Sequence, residues 1–255
     1  MIIQNVYAVY FSPTGNSKSV LKLMLSQIEK TKHEIDLTPY KNRNNSYSFS
    51  EKDLLIIGIP VYGGRVPTTA EERIKLLKGN NTPVVLVITY GDIHYFSAIF
   101  ELKQIVNANG FITVGAAAIV AKHSVVEEIA RDRPNAKELE NTLNFTRQII
   151  QKISNSTKFE NITLRGKKIA FPQNMLPIKP YGNKKCTHCG TCVKLCPTQA
   201  ITNPRKKASV ECIRCMRCIK YCPQNARTYG DIKKTIAKIF LTIASHKEKE
   251  SEFFM

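Results

Sequence analysis

Val6-Tyr7-Ala8-Val9-Tyr10-Phe11-Ser12-Pro13-Thr14-Gly15-Asn16-Ser17 decides how the first half of the chain folds. Residues 6–11 form a near-continuous apolar run of strand length, the pattern of a strand covered on both faces. The polar turn Ser12-Pro13-Thr14-Gly15-Asn16-Ser17 then leads into a helix predicted over 17–30, with Val20, Leu21, Met24, Leu25 and Ile28 on one face. Such a turn suits a phosphate dianion. Hydroxyls and backbone N–H groups at a helix N-terminus hold it without a basic side chain, and Gly15 permits close approach. The spacing G-x-G-x-x-G is absent, which disfavours a dinucleotide here, and G-x4-G-K-[ST] is absent, which disfavours ATP.

The pattern continues outward from this stretch. Short extended residues follow at 33–37, and buried strands are predicted at 54–59, 84–89 and 111–120. Helices intervene: one opened by Thr68 and Glu71 as a capping box, one over 95–109 closed by Gly110, and one opened by Asn135 and Glu138. That last helix is expected to face inward with Leu139, Leu143, Ile150 and Ile153. Five strands alternating with helices predict an α/β flavodoxin-like doubly wound parallel five-stranded sheet, order 2-1-3-4-5. Flavodoxin-like proteins hold a flavin ring at the carboxyl ends of the third and fourth strands. Here these ends carry Pro60-Val61-Tyr62-Gly63-Gly64 and Thr89-Tyr90-Gly91, glycines for backbone contact and tyrosines to stack. With Ser12, Thr14, Gly15, Asn16 and Ser17 they form the candidate FMN site.

All eight cysteines lie between 186 and 222. They form Cys186-x2-Cys189-x2-Cys192-x3-Cys196-Pro197 and Cys212-x2-Cys215-x2-Cys218-x3-Cys222-Pro223. This is the doubled bacterial ferredoxin pattern, which predicts two [4Fe–4S] clusters, the fourth cysteine of each run serving the other cluster. One site is then Cys186, Cys189, Cys192 and Cys222, and the other Cys212, Cys215, Cys218 and Cys196. Zinc sites use two C-x2-C pairs with a long gap, and a disulfide framework belongs to secreted chains, so both fit poorly. His188 reads as a solvated loop residue, since four cysteines complete the site. Apolar Ile201, Val210, Ile213 and Ile219 are expected to limit water access.

The formal net charge is +18, and residues 181–230 hold ten Lys/Arg against one acid, Glu211. This basic module either balances its own anionic clusters or steers an acidic partner, such as an acidic ferredoxin or a reductase. Nucleic acid fits poorly, because the cations alternate with cysteines rather than with stacking aromatics. No run approaches the ~18 apolar residues of a membrane span, and no leader is recognised, so a cytoplasmic protein is expected. The expected domains are 1–155 (flavodoxin-like, FMN-binding), a linker at 156–180 with Pro172, Pro177 and Pro180, 181–230 (two clusters) and a helical tail at 231–255. That tail is expected to begin amphipathic (Ile232, Ile236, Ile239, Phe240, Ile243) and to fray over 247–252.

From about residue 6 to 230 the chain resembles the flavodoxin–ferredoxin fusion family of anaerobes. The cysteine runs, the phosphate turn and the 60–67 loop carry the likeness. His123-Ser124 and Ile129-Ala130-Arg131-Asp132-Arg133-Pro134 add to it. The family's fourth-strand loop continues Tyr-Gly with Asn-Arg, where this chain has Asp92-Ile93. The resemblance implies electron transfer between FMN and two clusters, coupling two-electron to one-electron chemistry. Rival readings are an FMN-dependent reductase of a small molecule and a redox-sensing binding protein. No acid–base constellation stands out beside the flavin loops.

Overall fold

The computed structural model describes residues 3–164, 177–245 and 247–255; residues 165–176 of the expected linker, Pro172 among them, lie outside these. In chain order come β1 (Asn5–Tyr10), α1 (Asn16–Leu25), β2 (Thr31–Asp36), β3 (Tyr47–Phe49), β4 (Asp53–Pro60) and α2 (Thr68–Ile74). Then come β5 (Leu77–Gly79), β6 (Thr82–Tyr90), α3 (Ala98–Asn107), β7 (Phe111–Val120) and α4 (Ala136–Asn155). The cysteine-bearing part adds β8 (Tyr181–Gly182), α5 (Thr191–Leu195), α6 (Arg217–Lys220) and β9 (Arg227–Thr228), and the chain closes with α7 (Asp231–Ala244) and β10 (Glu252–Phe254).

The main sheet runs β10-β7-β6-β4-β1-β2. Its five parallel strands have the flavodoxin-like order 2-1-3-4-5. Alternation in β1 explains the two layers. Val6, Ala8 and Tyr10 pack with Val20, Leu21 and Met24 of α1 and Phe145, Ile149 and Ile153 of α4. Val9 and Phe11 face Ala70 and Ile74 of α2 and Leu102 and Val106 of α3. All nine residues of β6 are buried, as a strand covered on both faces requires.

Local expectations are corrected at several points. Pro67 is the N-cap of α2 and Thr68 is its first helical residue, so Thr68 and Glu71 form no capping box there. The inward face of α4 is Thr142, Phe145, Thr146, Ile149 and Ile153, while Leu139 is 38% exposed. Asn135 and Glu138 fix that rotation. They close a reciprocal capping box, and Glu138 also receives a two-pronged Arg133 guanidinium at 2.5 and 2.7 Å. In α7 the buried residues are Ala237 and Leu241, while Ile232 is 79% and Ile243 68% exposed.

The end of the chain is ordered as a sixth strand rather than frayed. β10 pairs antiparallel with β7, Phe253 opposite Ala117, and its phenyl packs 5.3 Å from Phe145. Small side chains in β7 leave room for it. Ser251 donates to Glu138 at 2.6 Å and accepts from the Val120 N–H at 3.0 Å. Paired edges of this kind remove the exposed ladder that an edge strand otherwise presents. No helix among the described residues is long and apolar enough to cross a membrane.

Candidate functional site

The phosphate turn is held from behind by its own polar atoms. The Ser12 N–H donates to Thr38 Oγ1 at 2.8 Å, and Ser12 Oγ accepts from the Lys18 N–H at 3.0 Å, which caps α1. Thr14 Oγ1 lies 3.2 Å from Ser124 Oγ, Asn16 donates to the Lys122 carbonyl at 2.8 Å, and Ser17 Oγ meets Thr89 Oγ1 at 2.8 Å. Gly15 has φ 90°, a conformation costly for any residue with a Cβ. The loop after β4 is a tight hairpin: Tyr62 and Arg65 exchange backbone hydrogen bonds around Gly63 and Gly64, both at positive φ. Arg65 is in turn fixed to Glu101 at 2.8 Å.

These segments enclose a cavity of about 370 Å³. Ser12, Thr14, Asn16, Ser17, Pro60, Val61, Tyr62, Gly63, Gly64, Thr89, Tyr90 and Gly91 all line it, and of the expected residues only Gly15 does not. The size is that of a ligand site for a small organic molecule. Tyr90 is only 5% exposed, edge-on to Tyr95 at 5.2 Å, and its hydroxyl donates to the Glu250 carbonyl at 3.0 Å. Asp92 turns away and accepts from the Lys249 N–H at 2.7 Å, so the Asp92-Ile93 departure anchors the tail. Ile93, His94 and Phe96 line the cavity instead, Phe96 being 41% exposed.

His123 also faces this cavity. Its Nδ1 accepts from the Val125 and Val126 N–H groups at 3.1 Å, which leaves the proton on Nε2. Burial lowers its pKa to about 4, so the ring is neutral near pH 7. Gly91 backs onto it: a Cβ there would lie 2.3 Å from His123 Cδ2.

The cysteines form two groups, each mixing the two runs. Cys186, Cys189, Cys192 and Cys222 line one small cavity, with Cys189 exposed. Burial raises the Cys215 thiol, and Cys218, Cys196 and Cys212 are the thiols that add to that shift. Burial likewise raises Cys218 to about 11, against the pull of Arg227. Arg227, 3% exposed, donates to the carbonyls of Pro204, Lys206 and Pro180 and bears electrostatically on both Cys192 and Cys218. It is therefore a buried cation between the two groups. Ile201 is buried, Ile213 and Ile219 are half-buried, and Val210 is 77% exposed, so Val210 shields nothing.

The two parts meet at the phosphate turn. Arg217 donates to the Pro13 carbonyl at 2.8 Å and Lys220 to the Thr14 carbonyl at 2.6 Å. Buried Arg73 of α2 donates to the Leu37 and Thr38 carbonyls and, at 2.6 Å, to the Pro197 carbonyl. Tyr229 donates to the Val125 carbonyl at 2.8 Å. Ile213 and Arg214, inside the second cysteine run, complete the wall of the 370 Å³ cavity. Sequence reading missed this set; cations scattered among cysteines give no signal of which carbonyls they will meet.

Fold and site together define a flavodoxin-like domain joined to a ferredoxin-type 4Fe-4S domain. A family model described as a 4Fe-4S dicluster domain matches residues 143–237, which contain every cysteine. Solved structures similar to the chain include a flavodoxin from the domain Archaea (13% identity, 59% of this chain and 99% of that chain, TM-score 0.41). Flavodoxin 2 from Bacillus cereus is another (16% identity, 58% and 99%, TM-score 0.43). An NADH:FMN oxidoreductase is a third (15% identity, 61% and 91%, TM-score 0.40). No curated protein matches.

Proposed function

We propose that the chain binds FMN in the 370 Å³ cavity and a [4Fe–4S] cluster at each cysteine group, and that it transfers electrons between these centres and protein partners. The observation that carries this reading is adjacency. The loops that line the cavity and the Cys212–Cys215 segment share one wall, made by Tyr62, Ile213 and Arg214. When bound, FMN exchanges one or two electrons and each cubane one, so such a chain can join hydride-type chemistry to one-electron carriers.

The residues present fit these groups. The amino end of α1 offers backbone N–H groups and the Thr14 and Ser17 hydroxyls for a phosphate, with Lys220 adding positive charge nearby. Gly63, Gly64 and Gly91 bring backbone to the cavity, and His123 faces it as a neutral ring with its proton on Nε2. Among the described residues no three His, Cys, Asp or Glu side chains are gathered tightly enough for a single metal ion. A cubane takes one thiolate per iron, so its ligands need not converge on one point. Arg227 and Arg214 favour the more negative, reduced form of whatever the cysteines hold.

Exposed Cys189, flanked in sequence by exposed Lys184, Lys185 and Lys194, is the end suited to an acidic redox partner in the cytoplasm. One observation favours a second reading, an FMN-dependent reductase. A groove of about 880 Å³ borders Thr14, Asn16 and His123, large enough for a further small molecule. Anaerobic isolation tests the first reading: one FMN with about eight irons and about eight acid-labile sulfides per chain are expected. A zinc-bearing, colourless protein would reject it. NAD(P)H oxidation without any protein acceptor would move the assignment to the second.

A further inference from the structure

We propose that the Tyr62 hydroxyl donates a hydrogen bond to a sulfur of the cluster held by Cys212, Cys215, Cys218 and Cys196. The proposal rests on the cofactor reading above and deepens it. A residue expected to stack on the flavin instead tunes the neighbouring iron–sulfur centre.

Tyr62 lines two spaces at once. One is the 370 Å³ cavity, and the other is a groove of about 700 Å³ shared with Pro197, Cys212 and Ile213. Its side chain is thus a partition between the flavin loops and the second cysteine run. The hydroxyl opens to neither side: it is shut from solvent and has no hydrogen-bond partner among the described residues. A phenol stacked on a ring in the 370 Å³ cavity would keep its oxygen at that cavity's edge. A sealed oxygen lies inside the wall. Buried hydroxyls without partners are uncommon in folded proteins and call for a cause. After burial itself, the charge that bears most on this phenol is that of Cys215, which is buried too.

An acceptor of the right kind therefore belongs beside the orphan donor. Cluster sulfurs and coordinating thiolates accept hydrogen bonds, and such bonds favour the reduced state and raise the potential. Tyr62 would then couple the domains chemically as well as sterically, since its backbone belongs to the hairpin after β4.

The test is Tyr62→Phe in the full chain, with FMN, iron and sulfide quantified beside wild type. EPR-monitored redox titration is expected to show one cluster, the one damaged by Cys196→Ala, moving to more negative potential. A tenfold change in its one-electron equilibrium would read as about 59 mV. The other cluster is expected to keep its potential. Resonance Raman gives a second readout: the Fe–S bands of wild type should shift in D2O more than those of Tyr62→Phe. Unchanged potentials together with an unchanged D2O response would overturn the proposal. So would a change confined to FMN affinity, which would assign the hydroxyl to the flavin. A wild type lacking that cluster would overturn the cofactor reading itself, an outcome distinct from a loaded but insensitive variant.

Discussion

Lys220 Nζ donates to the Thr14 carbonyl at 2.6 Å, so a lysine two residues from Cys222 clamps the phosphate turn of the other domain. Lys220 retains further N–H donors for an anion at that turn. Lys220→Met is expected to weaken FMN binding about fivefold, near the ~1 kcal/mol upper range for exposed ion pairs. Flavin fluorescence titration checks it. Lys194→Met, an exposed cation without a bond to this turn, is the control and should bind as wild type.

Crossed ligation makes a second prediction. Cys222 shares a cavity with Cys186, Cys189 and Cys192, whereas Cys196 neighbours Cys215 and Cys218. Cys222→Ala should damage the cluster of the first run, and Cys196→Ala that of the second. Cluster-resolved EPR decides. Loss of the cluster of its own run in either variant would refute the assignment.

His123 should stay neutral through mild acid. Its folded pKa is lowered by burial from 6.5 to about 4, so between these values the unfolded chain binds the extra proton. Stability is thus complete above about pH 6.5 and declines as pH falls toward 4. The His123 imidazole signals, followed by NMR from pH 7.5 to 5, are expected not to titrate. A midpoint near 6.5 would contradict the Nδ1-accepting geometry of this half-buried ring.

The sixth strand should contribute measurably to stability. Ser251→Ala removes the bond to Glu138 at 2.6 Å and the acceptor for the Val120 N–H at 3.0 Å. A loss of about 1–3 kcal/mol is expected, since partners are left buried and unpaired. Chemical denaturation under anaerobic conditions measures it. An unchanged midpoint would mean that β10 is marginal.

Partner steering is testable through salt. Lys184, Lys185, Arg205, Lys206 and Lys207 are all exposed, while Arg227 is buried and Arg217 is committed to Pro13. Electron delivery to an acidic ferredoxin should slow as the Debye length shrinks from roughly 30 Å at 0.01 M to about 8 Å at 0.15 M. Charge reversal of Arg205, Lys206 and Lys207 to Glu should lower the association rate. A stopped-flow rate independent of salt, and equal in both proteins, would leave these cations only the role of balancing cluster charge.

Apolar runs and cysteine spacing determined much of this protein, because both are local signals. A six-residue apolar strand followed by a polar turn needs no distant partner to be recognised, and C-x2-C-x2-C-x3-C-P carries its chemistry in its spacing. That is why β1, β4, β6, β7 and twelve of the cavity-lining residues were legible. Contacts between residues far apart in sequence were decided only by the tertiary structure. Glu252–Phe254 is too short and too charged at its edge to announce a strand, and it becomes one because β7 offers an unpaired edge. The apolar stripe of α7 predicts burial, yet Ala237 and Leu241 face the protein because the loop around Val126 and Ile129 meets that side. Tyr62 shows the same limit. The sequence placed it in a flavin loop, but only the tertiary structure put it in one groove with Cys212 and Ile213 and sealed its hydroxyl from solvent.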